Sequence, residues 1–334
     1  MRRVPPWTPD PARFPRALLL DGPSPLQRLP RFAAALGGRA DVWIKREDLL
    51  PLAFGGNKLR NLEFLVGAAL AEGADVLVTS GRRWSNHARL TAAAGARSGL
   101  EVHLVLSGPP TDPPNPGLQL DLLLGATIHQ TATDRREERE ARIGRVVADL
   151  RAAGRTPYTI GVGGSGMPGV LGQVLAGLEL ADGAAVNGFV PDEVIVPSAT
   201  AGTQAGLLAG LATAGVATRV RGFATGHESG ERRARIRALL AELAALPGIV
   251  PVPDERILLD DSQVGLDYGV PTAAAADAAS LLATTEGILV DPIYTAKALA
   301  GLVALIRQGG LDGRTVVFWH AGGTPGLFEP LPTG

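Results

Sequence analysis

Residues 74–108 contain ADVLVTSG, then HARLTAAAGARSG, then EVHLVLSG: two unbroken apolar runs ending in Ser and Gly, separated by an Ala-rich helical stretch. The pattern returns at 192–215, where DEVIVPSATAGT leads into QAGLLAGLATAG. A strand with one face in water alternates apolar and polar residues. These runs do not, so both of their faces must be covered. Buried strands joined through helices predict a parallel sheet built from βαβ units. RTPYTIGVGG, TRVRGFATG, GILVDP and TVVFWHAGG predict further strands of the same kind. At 334 residues the chain is long enough for two α/β domains or one large one.

Between the early and middle units lie a proline-rich loop, SGPPTDPPNPG, and a charged helix, DRREEREARIGRVVADLRAAG. The helix is expected to turn a solvated face outward and an apolar stripe to the sheet. The 32 basic and 33 acidic residues leave a formal net charge of −1, which offers no basic field for nucleic acid. There is no cysteine, so disulfides, cysteine metal sites and thiol nucleophiles are excluded, and no metal is expected. The N-terminal segment MRRVPPWTPDPARFPRALLLDGPSP has only ALLL as an apolar run. That is too short for a leader or a membrane span, and the expectation is a cytoplasmic protein without membrane association.

Only three of the 32 basic residues are lysines: Lys45, Lys58 and Lys297. A composition that writes arginine wherever a positive charge suffices gives each lysine a reason to be one. A lysine amine can lose its proton in a desolvated site and condense with a carbonyl, which a guanidinium cannot. Lys58, in AFGGNKLRNLEFL, follows two glycines at the start of an amphipathic segment and is the best placed of the three. Its plainer reading is a solvated cation at a helix start. Lys45 and Lys297 carry no evident chemistry and are expected to make a salt bridge or an anion contact.

Two glycine-rich turns bear on the ligand. GVGGSG at 161–166 has the letters of a dinucleotide fingerprint, but that reading also requires an acidic residue at the end of the next strand. The next strand, DEVIVPSAT, ends in small hydroxylic residues, so the glycines are read as a tight turn. SATAGTQAGL is different. Small residues there let backbone amides close around an oxyanion at the start of a helix, with Thr200 and Thr203 adding hydroxyls beside Ala201 and Gly202. The absence of GK[ST] points to one phosphate monoester held without magnesium. A lysine amine and a phosphate cup in one α/β protein suggest pyridoxal 5'-phosphate, whose aldehyde needs the first and whose phosphate needs the second.

Several blocks taken together, IKRED, FGGNKLR, SNHAR, SATAGTQAG, LDYGVPT, GILVDPIYTAKA and HAGGTPGLF, resemble the fold-type II (tryptophan-synthase-β-like) pyridoxal-phosphate enzymes. The similarity is to the branch holding D-cysteine desulfhydrase and 1-aminocyclopropane-1-carboxylate (ACC) deaminase. It runs from about residue 26 to 328. It implies a two-domain α/β fold of mostly parallel open sheets with helices on both faces. In that fold a small domain, 56–164, is inserted in a large cofactor-binding domain, 1–55 and 165–334. A homodimer is implied as well. By the same resemblance Lys58 carries the cofactor covalently, Asn86 bonds its ring hydroxyl, Ser85 stands over the reacting carbon, and Thr200, Ala201, Gly202 and Thr203 hold the phosphate. Tyr268 and Tyr294 border the substrate pocket, with Trp84 and His87 beside it.

Each role has a plainer alternative. Ser85 and Asn86 are also an N-cap pair for the following helix, and the tyrosines are also half-buried core residues. His87 is either a proton-relay partner or a helix residue satisfied by a backbone carbonyl. The chain departs from the family pattern in four places: Asn61 where relatives have a second lysine, Ala321 after His320, Thr295 where ACC deaminases have glutamate, and Arg82, Arg83 and Trp84 before Ser85. The second and third leave Thr295 as a neutral candidate partner for the pyridine nitrogen.

The activity this implies is β-elimination from a small or β-substituted amino acid by a lyase of the desulfhydrase type, giving a 2-oxo acid and ammonia. ACC-type deamination and a biosynthetic β-replacement are the enzymatic alternatives, and a catalytically silent binding module is the non-enzymatic one. Trp84 would wall the pocket, and Arg82 or Arg83 would present a guanidinium fork to an anion at the substrate's distal end, unless the arginines face solvent or a neighbouring segment.

Overall fold

The computed structural model describes residues 7–108, 114–133, 135–227 and 229–331. The middle of the proline-rich loop, 109–113, lies outside the described residues. The strands are β1 (Leu26–Arg28), β2 (Asp41–Arg46), β3 (Val76–Arg82), β4 (Glu101–Ser107), β5 (Thr127–Thr131), β6 (Pro157–Thr159), β7 (Glu193–Ser198), β8 (Arg219–Ala224), β9 (Ile257–Asp260) and β10 (Thr315–His320). The helices are α1 (Pro30–Ala35), α2 (Lys58–Ala71), α3 (Asn86–Ser98), α4 (Pro116–Leu123), α5 (Arg136–Ala152), α6 (Val170–Val186), α7 (Gly202–Thr213), α8 (Ser229–Ala244), α9 (Ala273–Glu286) and α10 (Thr295–Arg307). One sheet runs β1-β2-β10-β7-β8-β9, and a second runs β5-β4-β3-β6. Every strand pair is parallel except β1 with β2.

Both faces of both sheets are covered, as the unbroken apolar runs require. Along β7, Val194 and Val196 pack with α6, α7 and α8, while Ile195 between them packs with α9 and α10. Along β10, Val317 and Trp319 take the first side, and Val316 and Phe318 the second. In the smaller sheet Leu77 faces α2 and α3. Val76 and Val78 meet Val146 and Leu150 of the charged helix, α5, whose polar face is turned to solvent. Each such side chain, fully buried, contributes about 1.5–3 kcal/mol.

The expected strands are present apart from GILVDP. That segment runs between α9 and α10 without pairing: Ile288 and Val290 point into the helical layer, and Asp291 then turns the chain into α10. Four strands had no counterpart in the expectations. β1, β5 and β9 are short edge strands, and β5 (TIHQT) is too polar to register as an apolar run. β2, which contains the IKR of IKRED, mixes buried residues (Val42, Ile44, Lys45) with half-buried ones (Asp41, Trp43, Arg46) and gives no unbroken apolar run. Among the described residues, no helix is long and apolar enough to cross a membrane.

α6 and α7 touch almost backbone to backbone. A Cβ on Gly210 would lie 2.2 Å from the Val174 carbonyl oxygen, and one on Gly206 would lie 2.3 Å from Gln173 Cβ. This matters for the site, because the loop entering α6 and the loop entering α7 face each other. Gly210→Ala is expected to force the helices apart and to destabilise the protein by about 1–3 kcal/mol, the usual range for overpacking. Chemical denaturation of wild type and variant checks it; an unchanged midpoint would show that the close packing tolerates the methyl.

Candidate active site

The loop that delivers Lys58 is built from unusual backbone. Residues Leu52, Ala53, Phe54, Gly55 and Gly56 all have positive φ, from +44° to +129°. Gly55 is required as well by space, since a Cβ there would lie 2.4 Å from the Asp48 carbonyl oxygen. Gly56 faces Gly322 of the loop after β10: a Cβ on Gly322 would sit 2.6 Å from Gly56 Cα. The Asn57 amide donates to the Ala321 carbonyl at 3.0 Å. The first residue of α2 is therefore fixed above the carboxyl end of β10.

From there the Lys58 amine donates to the Gly163 carbonyl at 2.9 Å and to Thr200 Oγ1 at 3.3 Å. The side chain is only partly exposed. Burial, helped by the charge of Arg235, lowers its pKa to about 8. The other two lysines are engaged elsewhere. Lys45 donates to the Ser24 carbonyl and pairs with Glu179, both at 2.5 Å, as a salt-bridge reading expects. Lys297 is buried and holds the Val264 and Asp267 carbonyls at 2.7 and 3.2 Å. Through these it anchors the loop before Tyr268.

The turn SATAG forms one wall of a polar cup. Ala201 is held at φ +73°, and Gly202 begins α7. The second wall is GVGGSG, which sequence reasoning assigned only to a turn. Its Gly163 and Gly164 have positive φ, and a Cβ on Gly163 would collide with Thr200 Oγ1 at 2.5 Å. Ser165 Oγ bonds Thr200 Oγ1 at 2.6 Å, and Asn57 donates to Thr203 Oγ1 at 2.7 Å. Asn57 and Ser165 were in quoted motifs but carried no expected role. Asn61 donates to the Gly164 carbonyl at 2.9 Å and accepts from Gln173 at 2.5 Å. It ties the second wall to α2 and α6 without adding charge.

At the carboxyl end of β3 the Ser85 amide closes a turn onto the Arg82 carbonyl at 2.8 Å. Ser85 Oγ caps α3 by accepting from the Ala88 amide at 3.2 Å, so its capping role is realised while its hydroxyl proton stays available to donate. Asn86 takes no part in that cap. Its Oδ1 accepts from Arg89 at 3.1 Å, and its amide nitrogen lies over Gly323, 2.9 Å from where a Cβ would stand. His87 is buried and bonds Thr79 Oγ1 at 3.0 Å through Nε2, not a backbone carbonyl. Because Thr79 donates its proton to the Ile160 carbonyl, Nε2 must carry the imidazole proton. That leaves Nδ1 an acceptor with no hydrogen-bond partner among the described residues. Burial, and then Lys58, lower the His87 pKa to about 3, so it stays neutral.

Tyr268 and Tyr294 share a hydroxyl–hydroxyl bond, with ring centroids 5.9 Å apart in edge contact. Burial raises both pKa values, so the pair is neutral. Trp84 is buried against Gly269, in the loop carrying Tyr268. Thr295 is fully buried at the start of α10, and its hydroxyl is bound to the Asp291 carboxylate. Asp291 also accepts from the Ile293, Tyr294 and Thr295 amides at 2.7–3.0 Å. This carboxylate, which sequence reasoning passed over, fixes both Tyr294 and Thr295.

These elements bring a depressed lysine amine to a cup of hydroxyls and glycine backbone at a helix start. The matching family model is "Pyridoxal-phosphate dependent enzyme", over residues 17–322. The chain belongs to that family. It is 40% identical over 326 residues to a D-cysteine desulfhydrase of Salmonella choleraesuis, covering 96% of this chain and 97% of the relative. It is 39% identical over 328 residues to one of Yersinia enterocolitica, with the same coverage. A crystal structure of an ACC deaminase homologue superposes with a TM-score of 0.87 at 37% identity, covering 95% of this chain and 94% of the other. The fold is the fold-type II architecture, and the enzyme is pyridoxal-phosphate dependent.

The residues present fit that cofactor. The cup offers the α7 N-terminus and the Thr200, Thr203 and Ser165 hydroxyls to a phosphate, between walls so close that a Cβ on Gly163 would strike Thr200 and one on Gly202 would strike Ser165. The Lys58 amine stands at its mouth. A neutral amine is needed to attack an aldehyde, and a pKa lowered to about 8 makes the neutral form dominant above that pH. In the cofactor-stripped protein, the rate of covalent uptake of pyridoxal phosphate is therefore expected to rise with pH and to level off just above 8. Absorbance after mixing measures it; a rise that continued toward 10 would show an ordinary solvated lysine.

Proposed function

We propose that the protein is a pyridoxal-phosphate dependent lyase that removes a β-substituent from a small amino acid, releasing a 2-oxo acid and ammonia. The observation that carries this reading is the Lys58 amine, half-buried and lowered to about 8, bonded to both walls of the phosphate cup. Similarity to two D-cysteine desulfhydrases over nearly the whole chain supports elimination as the reaction.

In this reading Lys58 anchors the cofactor, and Thr200, Ala201, Gly202 and Thr203, with Ser165 and Asn57, hold its phosphate. Asn86 orients the ring from the side of Gly323. The bound cofactor supplies an electron-withdrawing ring that acidifies the substrate's α-hydrogen. Lys58 takes that proton as general base, and Ser85, capped onto α3 but able to donate, steadies the substrate carboxylate or relays the proton. The bond from Cβ to the substituent breaks with its electron pair, and water converts the released enamine to the oxo acid and ammonia. Tyr268 and Tyr294, both neutral, border the leaving group. Thr295, its hydroxyl shared with Asp291, is the neutral group assigned to the pyridine nitrogen. Residues 56–164 act as a small domain, a division supported by the second sheet, whose strands all fall between Val76 and Thr159. A cytoplasmic homodimer completes the proposal, with gel filtration and fractionation as its checks.

The ACC deaminase homologue supports cyclopropane opening as the second reading. Thr295 in place of a carboxylate argues for elimination, because a neutral partner makes the ring a weaker electron sink. Purified holoenzyme is expected to release pyruvate from β-substituted alanines and no 2-oxobutyrate from ACC; the reverse pattern overturns the order of the two.

Lys58→Ala is expected to abolish turnover while leaving circular dichroism unchanged, and borohydride should fix the cofactor on the wild-type peptide containing Lys58. Label on Lys45 or Lys297 instead would end this assignment. Ser85→Ala is expected to lower kcat on the order of 10²-fold, a typical loss for a group that positions or relays a proton.

A further inference from the structure

GRRWSNHAR holds three arginines, and the fold sends them to three different places. The Arg82 guanidinium lies over the Tyr268 and Trp84 rings, and Arg83 reaches the Pro330 carbonyl. Arg89, in the first turn of α3, points inward and is only 3% exposed. One of its terminal nitrogens donates to the Ala53 carbonyl, in the loop that delivers Lys58, and the other donates to Asn86 Oδ1 at 3.1 Å.

This is an unfavourable place for a guanidinium. A cation near a helix N-terminus sits at the positive end of the dipole, and burial strips its hydration. Among the described residues no carboxylate is bonded to it: Asp121 acts on it by charge alone, and burial raises the Asp121 carboxyl itself to about 8. Burial lowers the Arg89 pKa to about 10, with Asp121 drawing it back, so the guanidinium is charged at neutral pH. An apolar side chain would fill the same space without this penalty.

What the guanidinium supplies is direction. The Asn side chain carries an accepting oxygen and a donating nitrogen on two arms of similar shape, whereas a guanidinium has five donors and no acceptor. Arg89 can therefore bond only the oxygen of Asn86. With Oδ1 turned to Arg89, Nδ2 faces the other way and lies over Gly323, 2.9 Å from where a Cβ would stand. Among the described residues the N–H groups of Nδ2 have no acceptor.

We propose that Arg89 is a positioning residue that holds the Asn86 amide with its N–H edge toward the cofactor ring. The inference rests on the assignment of Asn86 to the ring's hydroxyl oxygen, and not on which reaction follows. The bond to Ala53 keeps the guanidinium in place from the side of the lysine loop. Its charge also polarises the amide, which strengthens Nδ2 as a donor. Without it the amide is able to turn its oxygen to the ring oxygen, and a repulsive contact competes with the bond.

The test measures the dissociation constant for pyridoxal phosphate, by equilibrium dialysis of the holoenzyme, and the position of the bound cofactor's absorption band. Asn86→Ala is expected to move the band and to weaken binding on the order of 10-fold or more, the worth of a hydrogen bond to a charged group. Arg89→Met should move the band the same way and weaken binding by a similar factor, about 10-fold. Arg89→Gln should do so too, because its amide offers an acceptor beside its donors and no longer dictates how Asn86 turns; it carries the test if Arg89→Met does not fold. Arg89→Lys, which only donates, should stay within about 3-fold of wild type. In an Asn86→Ala background, Arg89→Met or Arg89→Gln should add less than about 2-fold, since the effect passes through a side chain that is gone.

The proposal is overturned, with Asn86 left in its role, if Arg89→Met and Arg89→Gln bind the cofactor as wild type does while Asn86→Ala does not. An Arg89→Lys no better than Arg89→Gln, or a full further loss in the double variant, overturns it as well. If Asn86→Ala changes neither affinity nor band, the assignment of Asn86 to the ring fails, and the role of Arg89 falls with it.

Discussion

The contact between Gly56 and Gly322 governs where the chemistry sits. Two loops cross with no side chain between them, one leading into α2 and the other leaving β10: a Cβ on Gly322 would strike Gly56 Cα, and one on Gly56 would press on Leu90 and the Ala321 carbonyl. The crossing seats the N-terminus of α2 on the carboxyl end of the larger sheet, while the body of the helix packs with the smaller one. Lys58 is the second residue past the crossing, so its amine reaches the cup between the loops that enter α6 and α7. The left-handed run that leads there is unfavourable: Leu52, Ala53 and Phe54 each cost on the order of 1–2 kcal/mol relative to ordinary backbone. Such a conformation persists only where the surroundings fix it.

A buried ion cluster on the first turn of α2, two residues beyond Lys58, helps fix that run. Arg60 makes two bonds to Glu47, at 2.5 and 2.8 Å, and two to Glu179, both at 2.9 Å, and Glu179 in turn pairs with Lys45. Glu47 follows β2 and Glu179 lies on α6, and Glu179 carries the link on to Lys45 of β2, so one guanidinium ties the lysine helix to the β2 segment and to α6. Burial opposes ionisation of Glu179, but Arg60 and Lys45 hold its carboxyl at about 2. Its contribution is accordingly present above the ordinary carboxylate range and is lost only as pH falls through about 2. Removing one partner would leave a buried charge uncompensated, which is why this cluster fixes the helix as a unit.

Much of this was legible in the sequence because it lay in short, strongly patterned runs. Unbroken β3, β4, β7 and β10 gave away the parallel sheets, and the scarcity of lysine singled out Lys58. What escaped notice depended on partners far along the chain. Asn57 and Ser165 lie 108 residues apart and join the cup only because α6 and α7 pack through glycines. GVGGSG resembled a simple turn, since nothing local says that Gly163 must clear Thr200. Asp291 was hidden in GILVDP, where a Pro after an apolar run looks like a strand end; its role as the cap of α10 is a matter of four hydrogen bonds to residues just beyond it. The edge strand β5 lacked an apolar signal because half of its surface never needs covering.

The electrostatics of the site follow from which groups are prevented from carrying charge. His87 is neutral, because its buried ring is given one hydrogen-bond partner and set near Lys58. The tyrosines are neutral because they are buried against each other. Thr295 brings no charge of its own, its hydroxyl bound to the Asp291 carboxylate, and Asn61 ties the second wall of the cup to α2 without adding charge. Burial also pushes the Asp291 carboxyl up, with its bonds to Thr295, Tyr294 and Ile293 drawing it back. Against this muted background, the charges that bear on the lysine and the tyrosines are a proton on Lys58 with Arg235 near it, and Arg82 and Asp291 near the tyrosine pair. On the proposed assignment of Thr295 to the pyridine nitrogen, the ring would have no charged partner and would stabilise carbanionic charge poorly, so a reaction here would gain most when that charge moves on to a departing group. β-Elimination from a substrate with a good leaving group fits that condition better than a reaction that must hold the charge on the ring.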